Sequence, residues 1–531
     1  MSEESCDVVV VGAGLSGFSA AHLLKKRQEQ WKVLVLEGKG RVGGRTLTQH
    51  LPAAHGEDMW DMGGQWVSSS QTHVMELIRE LGLEVSRQFT EGKKIHHMGG
   101  ANAKIRTYTS SIPSFSFLAL LDFIQFLWKI ERLCKTVSVE DPMTTPNAQQ
   151  LDSMTLQSFM DRNIWTTELI EEIGLCSRSV FGVEPSQLSF LYFLMYSTSA
   201  GGIMRLLEST PGSAQEFKVK GGTQQLSERL AEQVGKHSVR LGSAVTAIWQ
   251  NEDHVEVKTA TSTINCKAVI VTCPPHMAAK IYYKPALPME RQHLTQCMPV
   301  GHMTKFIITY PTAFWKRKGF SGEIVARPSE DCPFGVTFDA TSHQGSAALV
   351  GFIAGAQGSS WNSRELVERK DAVIASLVKY LGLEAASYIH YEEKDWSKEE
   401  YSGGCPVNVM VPGMLTYYHA GLRKPCGRIY WAGTETATQW CGYLSGAVQA
   451  GQRAAVEVLA AECPSVLSES ELQKVRADMN RAPQALQHLT GVSSHRASHF
   501  RLFLYLAVMV LTVGSLYLAK DPTFDVICVS L

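Results

Sequence analysis

The sequence has almost no excess charge, no paired cysteine motif and no internal repeat. Its 531 residues carry 50 lysines and arginines against 51 aspartates and glutamates, so nothing favours a nucleic-acid partner. The twelve cysteines form no Cys-x-x-Cys pair. We therefore predict neither a disulfide framework nor a metal site, and free thiols fit a cytosol-facing protein. The first residues, Met1-Ser2-Glu3-Glu4, lead directly into a predicted strand without a signal peptide.

A glycine motif follows that first predicted strand. Residues 6–11 include four consecutive valines and read as a buried parallel strand, and residues 12–17 read Gly-Ala-Gly-Leu-Ser-Gly before a predicted helix. Gly12 permits a tight turn, Gly14 lets backbone approach a pyrophosphate, and Gly17 lets the helix pack on the strand. The positive helix N-terminus would hold the phosphates, with Ser16 as an added hydroxyl donor.

A carboxylate stands where such a motif needs one. Glu37 ends a second predicted strand, residues 32–36, and follows Gly17 by twenty positions. There it would accept hydrogen bonds from ribose hydroxyls, although a solvated strand end is the alternative. Together these features predict an α/β fold with a Rossmann-type dinucleotide-binding domain.

Further glycine-rich segments lie at wide intervals. Residues 40–45 read Gly-Arg-Val-Gly-Gly-Arg, and residues 61–66 read Asp-Met-Gly-Gly-Gln-Trp. Residues 401–406 read Tyr-Ser-Gly-Gly-Cys-Pro, and residues 431–436 read Trp-Ala-Gly-Thr-Glu-Thr. Alone, the third segment is typical of a turn with an inert thiol. With the others, it puts Cys405 within reach of a bound flavin.

On these segments the chain from Asp7 to Leu459 resembles the monoamine oxidases of the flavin amine oxidase superfamily. The resemblance implies FAD, joined through its 8α-methyl carbon to Cys405 as a thioether. It implies that Arg41 and Arg45 meet phosphate or ring-edge oxygens, and that the backbone of Val245 holds the adenine. The other cofactor-binding positions that it implies are Gly38, Gly44, Trp396, Gly433, Thr434 and Glu435.

The resemblance also implies the catalytic groups. Lys305 would hydrogen-bond a water at flavin N5, whereas a lysine in such a strand is otherwise an edge residue reaching water. Tyr443 matches one of two tyrosines that stand perpendicular to the flavin. Pro406 occupies the position expected for the other, so half of the aromatic cage is missing there. The implied substrate-cavity residues are Leu175, Leu207, Gln215 and Phe352.

The implied reaction is oxidative deamination of an amine by O2, giving an aldehyde, ammonia and hydrogen peroxide. A polyamine oxidase of the same superfamily is the alternative, which cavity carboxylates would favour, although no local pattern places them. Because of Pro406, a non-catalytic membrane-anchored flavoprotein is a further alternative. The sequence leaves a homodimer open.

The domain order follows from changes in residue pattern, since 531 residues exceed a single core. We expect an FAD-binding domain in three parts, with an inserted α+β substrate domain that is helical first and sheet-forming second. The expected parts are FAD-binding residues 1–95, helical residues 96–219, FAD-binding residues 220–286, sheet residues 287–394, FAD-binding residues 395–461, a linker over 462–499 and a transmembrane segment over 500–519.

The C-terminal segment predicts a tail anchor. Leu502 to Ala519 contains no charge over eighteen residues, which as a helix spans about 27 Å. Basic residues precede it and acidic residues follow it, so the positive-inside rule keeps the catalytic body in the cytosol. The resemblance points to the mitochondrial outer membrane, with the endoplasmic reticulum as the alternative.

Overall fold

The computed structural model describes residues 3–480. A five-stranded parallel sheet draws its strands from three distant parts of the chain. In spatial order these strands are Val239–Arg240, Val33–Leu36, Val8–Val11, Ala268–Val271 and Ile429–Trp431. Val8 and Val10 pack on one face of the sheet, and Val9 and Val11 on the other. Burial on both faces explains the unbroken run of valines.

Three helices cover one face of this sheet. Leu15–Arg27 packs against Leu444–Glu462 and Gln224–Val234. The helices Leu15–Arg27 and Leu444–Glu462 approach closely because residue 451 is a glycine. A Cβ at Gly451 would lie 2.1 Å from the carbonyl oxygen of Ser16. Distant parts of the described chain are thus packed closely together at the start of the helix Leu15–Arg27.

A second five-stranded sheet covers the other face. Its strands, in spatial order, are Glu3–Ser5, Thr263–Cys266, Val255–Thr259, Val245–Gln250 and Tyr282–Lys284. Smaller sheets join Trp66–Val67, Phe217–Val219 and Val85–Arg87, and pair Thr48–Ala53 with Gly56–Asp61.

A seven-stranded sheet takes five strands from residues 303–395 and two from residues 93–108. Its spatial order is His390–Asp395, Met303–Thr309, Ala348–Ala354, Val336–Asp339, Phe320–Ala326, Lys93–His97 and Arg106–Tyr108. Every residue of Met303–Thr309 is buried, and this strand pairs with a neighbour on each side. The interpretation of Lys305 as an edge-strand residue is therefore wrong.

The helical layer differs from its prediction at one place. The apolar pattern of the sequence predicts one helix over residues 115–133 and another over 156–173, and the first is observed as Phe117–Cys134. The second, 156–173, is two helices, Leu156–Asn163 and Thr167–Phe181. Oδ2 of the buried Asp122 accepts bonds from the backbone N–H groups of Trp165 and Thr166, both at 2.8 Å, and from the Thr166 hydroxyl. These donors start a new helix.

The described residues contain further α-helices. They are Thr72–Glu80, Ala148–Asp152, Phe190–Ser199, Ile203–Leu207, Pro275–Ala278, Met289–Cys297, Phe314–Arg317, Gly355–Asn362, Leu366–Leu381, Met414–Tyr418 and Glu469–Met479. The last of these lies in the expected linker. Within residues 3–480 no helix combines the length and apolarity that a membrane crossing requires. The run Leu502–Ala519 lies outside the described residues.

Candidate active site and cofactor cavity

One cavity of about 720 Å³ brings most of the predicted site residues together. It extends from the first glycine motif to the seven-stranded sheet and the helical layer. The predicted residues that line it are Gly12, Gly14, Ser16, Glu37, Gly38, Gly44, Arg45, Leu175, Leu207, Gln215, Val245, Lys305, Phe352, Trp396, Cys405, Gly433, Thr434 and Tyr443. Gly17, Arg41 and Glu435 do not line it.

The glycine motif leaves a helix N-terminus open to the cavity. Gly12 adopts a φ of +107°, and a Cβ there would lie 2.7 Å from the Thr272 hydroxyl oxygen. The helix that begins at Leu15 has no side-chain cap. The Ser16 hydroxyl accepts a 2.9 Å bond from the backbone N–H of Gly433, so its own proton is available to a ligand. Unpaired N–H groups and a hydroxyl suit a pyrophosphate.

Glu37 is fixed by backbone donors on both oxygens. Oε2 accepts from the N–H of Ala13 at 2.7 Å, and Oε1 accepts from the N–H of Lys39 at 2.9 Å. Each carboxylate oxygen has a second lone pair. The carboxylate is buried and lines the cavity, as recognition of ribose hydroxyls requires. The helix N-terminus, the serine and this carboxylate therefore fit FAD.

The two arginines of residues 40–45 bind different groups. Arg41 donates to the carbonyls of Gly44 and Thr46, both at 3.0 Å, and contacts Glu399 at 3.4 Å. It braces its own loop, which corrects the expectation that it faces cofactor oxygens. Arg45 lines the cavity and binds Glu435 with both terminal nitrogens, at 2.5 and 3.1 Å.

The Arg45–Glu435 pair joins the second glycine-rich loop to the loop after Trp431. Burial raises the pKa of the Glu435 carboxyl, but the charge and hydrogen bonds of Arg45 outweigh burial and hold that pKa below its usual value. Arg45 also donates to the carbonyl of Pro406 at 2.9 Å. Glu435 thus shapes the cavity through Arg45, without lining it.

Lys305 is buried in the wall of the cavity. Its Nζ donates to the Gly63 carbonyl at 2.9 Å and to Oε1 of Gln65 at 2.5 Å. Burial lowers the pKa of Lys305 to about 7, although the nearby carboxylate of Asp61 acts in the opposite direction. The amine can therefore change charge near neutral pH.

Cys405 lies close to the same strand. Its thiol contacts the Met303 carbonyl at 3.9 Å and packs with Trp396, whose indole N–H donates to the Met62 carbonyl. Gly403 and Gly404 precede it with φ values of +62° and +150°. Burial raises the pKa of the Cys405 thiol to about 12. Cys405 and Lys305 face one cavity, as a shared flavin site requires.

Tyr443 has aromatic neighbours that the sequence did not single out. Its ring centroid lies 5.1 Å from that of Trp440 and 6.1 Å from that of Tyr196. Tyr196 and Pro406 both line the cavity, and a Cβ at Gly442 would lie 2.2 Å from the Tyr196 hydroxyl oxygen. Residues 192–196 lie on the apolar helix Phe190–Ser199, and such a helix gives no local signal that separates core from cavity wall.

The predicted substrate residues lie on different elements. Leu175 packs with Met98 and Val325, and Leu207 packs on the helical core. The ring centroid of Phe352 lies 5.9 Å from that of Trp66. Gln215 donates to the Leu206 carbonyl at 3.2 Å, and its own carbonyl oxygen is buried without a partner in the described chain. That oxygen can accept a hydrogen bond from an amine.

The cavity also contains carboxylates that the sequence did not locate. Glu172 contacts His96 at 3.2 Å, and Glu323 pairs with Lys94 at 2.9 Å. Glu208 accepts a 2.7 Å bond from the Thr210 hydroxyl and has no basic partner among residues 3–480. These carboxylates come from separate helices and strands, so no spacing in the sequence joins them.

The chain matches a known family over most of its length. Residues 15–459 match the family described as flavin containing amine oxidoreductase. The chain is 37% identical over 465 residues to amine oxidase [flavin-containing] A of Equus caballus, covering 86% of each chain. It is 37% identical over 457 residues to amine oxidase [flavin-containing] B of Homo sapiens, again covering 86% of each.

Solved structures of amine oxidases superpose on this chain over most of its length. Cyclohexylamine oxidase from Brevibacterium oxydans superposes with a TM-score of 0.80 at 31% identity, covering 85% of this chain and 98% of that one. Wild-type putrescine oxidase bound to putrescine superposes with a TM-score of 0.81 at 28% identity, covering 86% and 100%.

Proposed function

Because the chain belongs to the flavin containing amine oxidoreductase family and is an FAD-dependent oxidoreductase acting on amines, we propose that its FAD is attached through Cys405 and that its substrate is a monoamine. The observation that carries the proposal is the shared cavity of Cys405, Lys305 and Tyr443. FAD, when bound, accepts two electrons from the carbon next to the amine nitrogen and passes them to O2. The products are an aldehyde, ammonia and hydrogen peroxide.

The protein's own groups bind and orient the amine. The Gln215 carbonyl oxygen has no hydrogen-bond donor within residues 3–480 and can accept from an amine N–H. The face of Tyr443 offers negative π density to the nitrogen. Leu175, Leu207 and Phe352 supply apolar walls that exclude water. Lys305 holds or releases a proton at Nζ, since its pKa is about 7.

Covalent attachment is tested on denatured protein. Wild-type protein on a denaturing gel is expected to keep flavin fluorescence, and Cys405→Ala is expected to lose it while still binding FAD when folded. Cys273→Ala is the matched control, because this cysteine also lines the cavity. Wild-type flavin that washes out in denaturant would exclude the thioether.

A diamine or polyamine is the second candidate substrate. The cavity carboxylate Glu208, without a basic partner within residues 3–480, could pair with a second ammonium group. The test is peroxide release and anaerobic flavin bleaching with benzylamine and putrescine. A monoamine oxidase prefers benzylamine and changes little in Glu208→Gln. Preference for putrescine, lost in Glu208→Gln, would favour the second candidate. Bleaching by either amine excludes a non-catalytic flavoprotein.

We also propose that the protein is tail-anchored through Leu502–Ala519, with its catalytic body in the cytosol. The uncharged length of this run and the basic residues before it support the proposal. The mitochondrial outer membrane is the proposed site, and the endoplasmic reticulum is the alternative.

A further inference from the structure

A second, much smaller cavity lies behind the wall that carries Lys305. Its volume is about 40 Å³, and Gln65 is a lining residue of both cavities. Asp61 and Lys218 also line the small cavity. His343, which is exposed, belongs to its rim. Gln65 is therefore a partition that the large cavity and the small cavity share.

The polar atoms at this partition are incompletely paired within the described chain. Gln65 is only 6% exposed, its Oε1 accepts from Lys305, and its Nε2 is buried without a partner. The three donors that reach Asp61, from Thr48 and Thr223, all go to Oδ1. Its Oδ2 is left for a ligand.

These are the conditions under which proteins hold ordered water. A buried water needs room of about one probe sphere, roughly 10–15 Å³, and two to four polar partners. The small cavity exceeds that volume, and Gln65 Nε2, Asp61 Oδ2 and the ammonium of Lys218 offer a donor, an acceptor and a charge. We propose that this cavity is a water site through which Lys305 exchanges protons with solvent, with the Gln65 carboxamide as the gate.

Amine oxidation requires such a proton route, and this part of the inference rests on the proposed function. Converting R–CH2–NH3⁺ to R–CH=NH2⁺ removes two electrons and two protons, and O2 takes up two of each to become H2O2. One proton travels with the electron pair as a hydride. The other must leave the nitrogen before or as the hydride moves, because the C=N bond uses the nitrogen lone pair. A proton must then return during oxygen reduction, while substrate or product still fills the large cavity. Lys305 touches the gate and has a pKa suited to that exchange.

The first test is the water itself. A crystal structure of the FAD-loaded protein at about 2 Å resolution or better is expected to show at least one ordered water within hydrogen-bond distance of Gln65 Nε2 and Asp61. A dry cavity would overturn the proposal, whatever the enzyme's activity.

The second test separates proton movement from electron movement. Ser86 lies on the strand Val85–Arg87 and lines the small cavity. The larger side chain of Ser86→Leu is therefore expected to fill that cavity and displace its water. Arg87→Leu, at the next position and exposed, is the matched control. Anaerobic protein is mixed with benzylamine in weak buffer containing phenol red. In wild type and control, proton release is expected to follow flavin bleaching, whereas in Ser86→Leu it should lag by tenfold or more.

Proton release that follows bleaching equally in Ser86→Leu would overturn the route. Gln65→Ala removes the gate, so proton release in this variant is expected to follow flavin bleaching. The same is expected of the double variant Gln65→Ala with Ser86→Ala, in which the small cavity is wider. A wild-type protein that no amine can bleach would refute the proposed amine oxidation instead. The crystallographic water would then decide the water site alone.

Discussion

Lys305 is a buried lysine without a carboxylate in contact among residues 3–480. Its neighbours are the Gly63 carbonyl, the Gln65 carboxamide and the ring of Phe352, 5.7 Å away. Because burial lowers its pKa to about 7, the folded protein releases this proton earlier than the unfolded chain, whose lysine pKa is about 10.4. Stability contributed by this site therefore rises with pH between those two values and is lowest below pH 7.

Lys305→Met tests that sign. The variant keeps side-chain volume but cannot be charged, so its thermal midpoint relative to wild type should be most favourable near pH 6 and should fall steadily toward pH 10. A difference that stays constant with pH would mean that Lys305 titrates at its ordinary value. The same variant should slow flavin reduction or reoxidation at least tenfold, since one positioned polar group is commonly worth about 2.7–4 kcal/mol. Lys94→Met, a cavity lysine paired with Glu323, is the control.

At the residue scale, side chains within a local motif lie where the motif leads one to expect, and their contacts with FAD stay predictions. Glu37 and Ser16 lie as their spacing from the glycine motif suggests, because a strand–turn–helix unit fixes its own geometry. Gln65 had no such signal, since its partner Lys305 is 240 positions away. The placement of Arg41 depended on something else, because its carbonyl partners lie within five positions and their directions depend on how residues 42–46 turn.

At the scale of elements, the break between Leu156–Asn163 and Thr167–Phe181 shows how one buried group can redirect a helix. The pattern of apolar residues continues across residues 164–166, so periodicity alone predicted one helix. The deciding carboxylate, Asp122, belongs to another helix, 43 and 44 positions before the backbone donors it accepts from. A sequence window around the break does not contain it.

Asp122→Ala should therefore be strongly destabilising. It leaves the two N–H groups at 165 and 166 without their partner and removes the acceptor for Gln125. Hydrogen bonds to a charged group contribute about 1.5–3 kcal/mol each, so a loss of about 3 kcal/mol is expected. Urea unfolding measures it. Asp161→Ala, an exposed aspartate on the neighbouring helix, should change stability by less than about 0.5 kcal/mol. Equal losses in the two variants would contradict the capping role.

At the scale of the whole molecule, the proposed tail anchor would set where the enzyme works. A fluorescent protein fused to residues 490–531 should resist carbonate extraction and label the mitochondrial outer membrane. Replacing two central leucines of the run by lysines should make the same fusion extractable, because each charge at the bilayer centre is unfavourable by about 2.5–3.5 kcal/mol. A diffuse, extractable wild-type fusion would contradict the anchor, and reticular labelling would place it in the endoplasmic reticulum.

The chain's long-range connections were partly visible beforehand. Apolar strands and glycine-rich segments indicated the returns to the parallel sheet, since strands buried on both faces have a recognisable composition. Nothing in the sequence indicated that the cavity would collect carboxylates from separate elements, or that a second small cavity would open behind Gln65.

The bond between the Ser16 hydroxyl and the Gly433 N–H joins residues 417 positions apart. This bond has a consequence for when, during synthesis of the chain, the cofactor site becomes complete. The ribosome completes the first glycine motif almost at once, but the loop at 433 and the helix Leu444–Glu462 emerge near the end. A nascent chain therefore has half of a cofactor site until translation is nearly finished, and flavin retained by ribosome-bound chains should begin only after residue 462 has left the exit tunnel. FAD loading thereby reports that a complete catalytic body has been made.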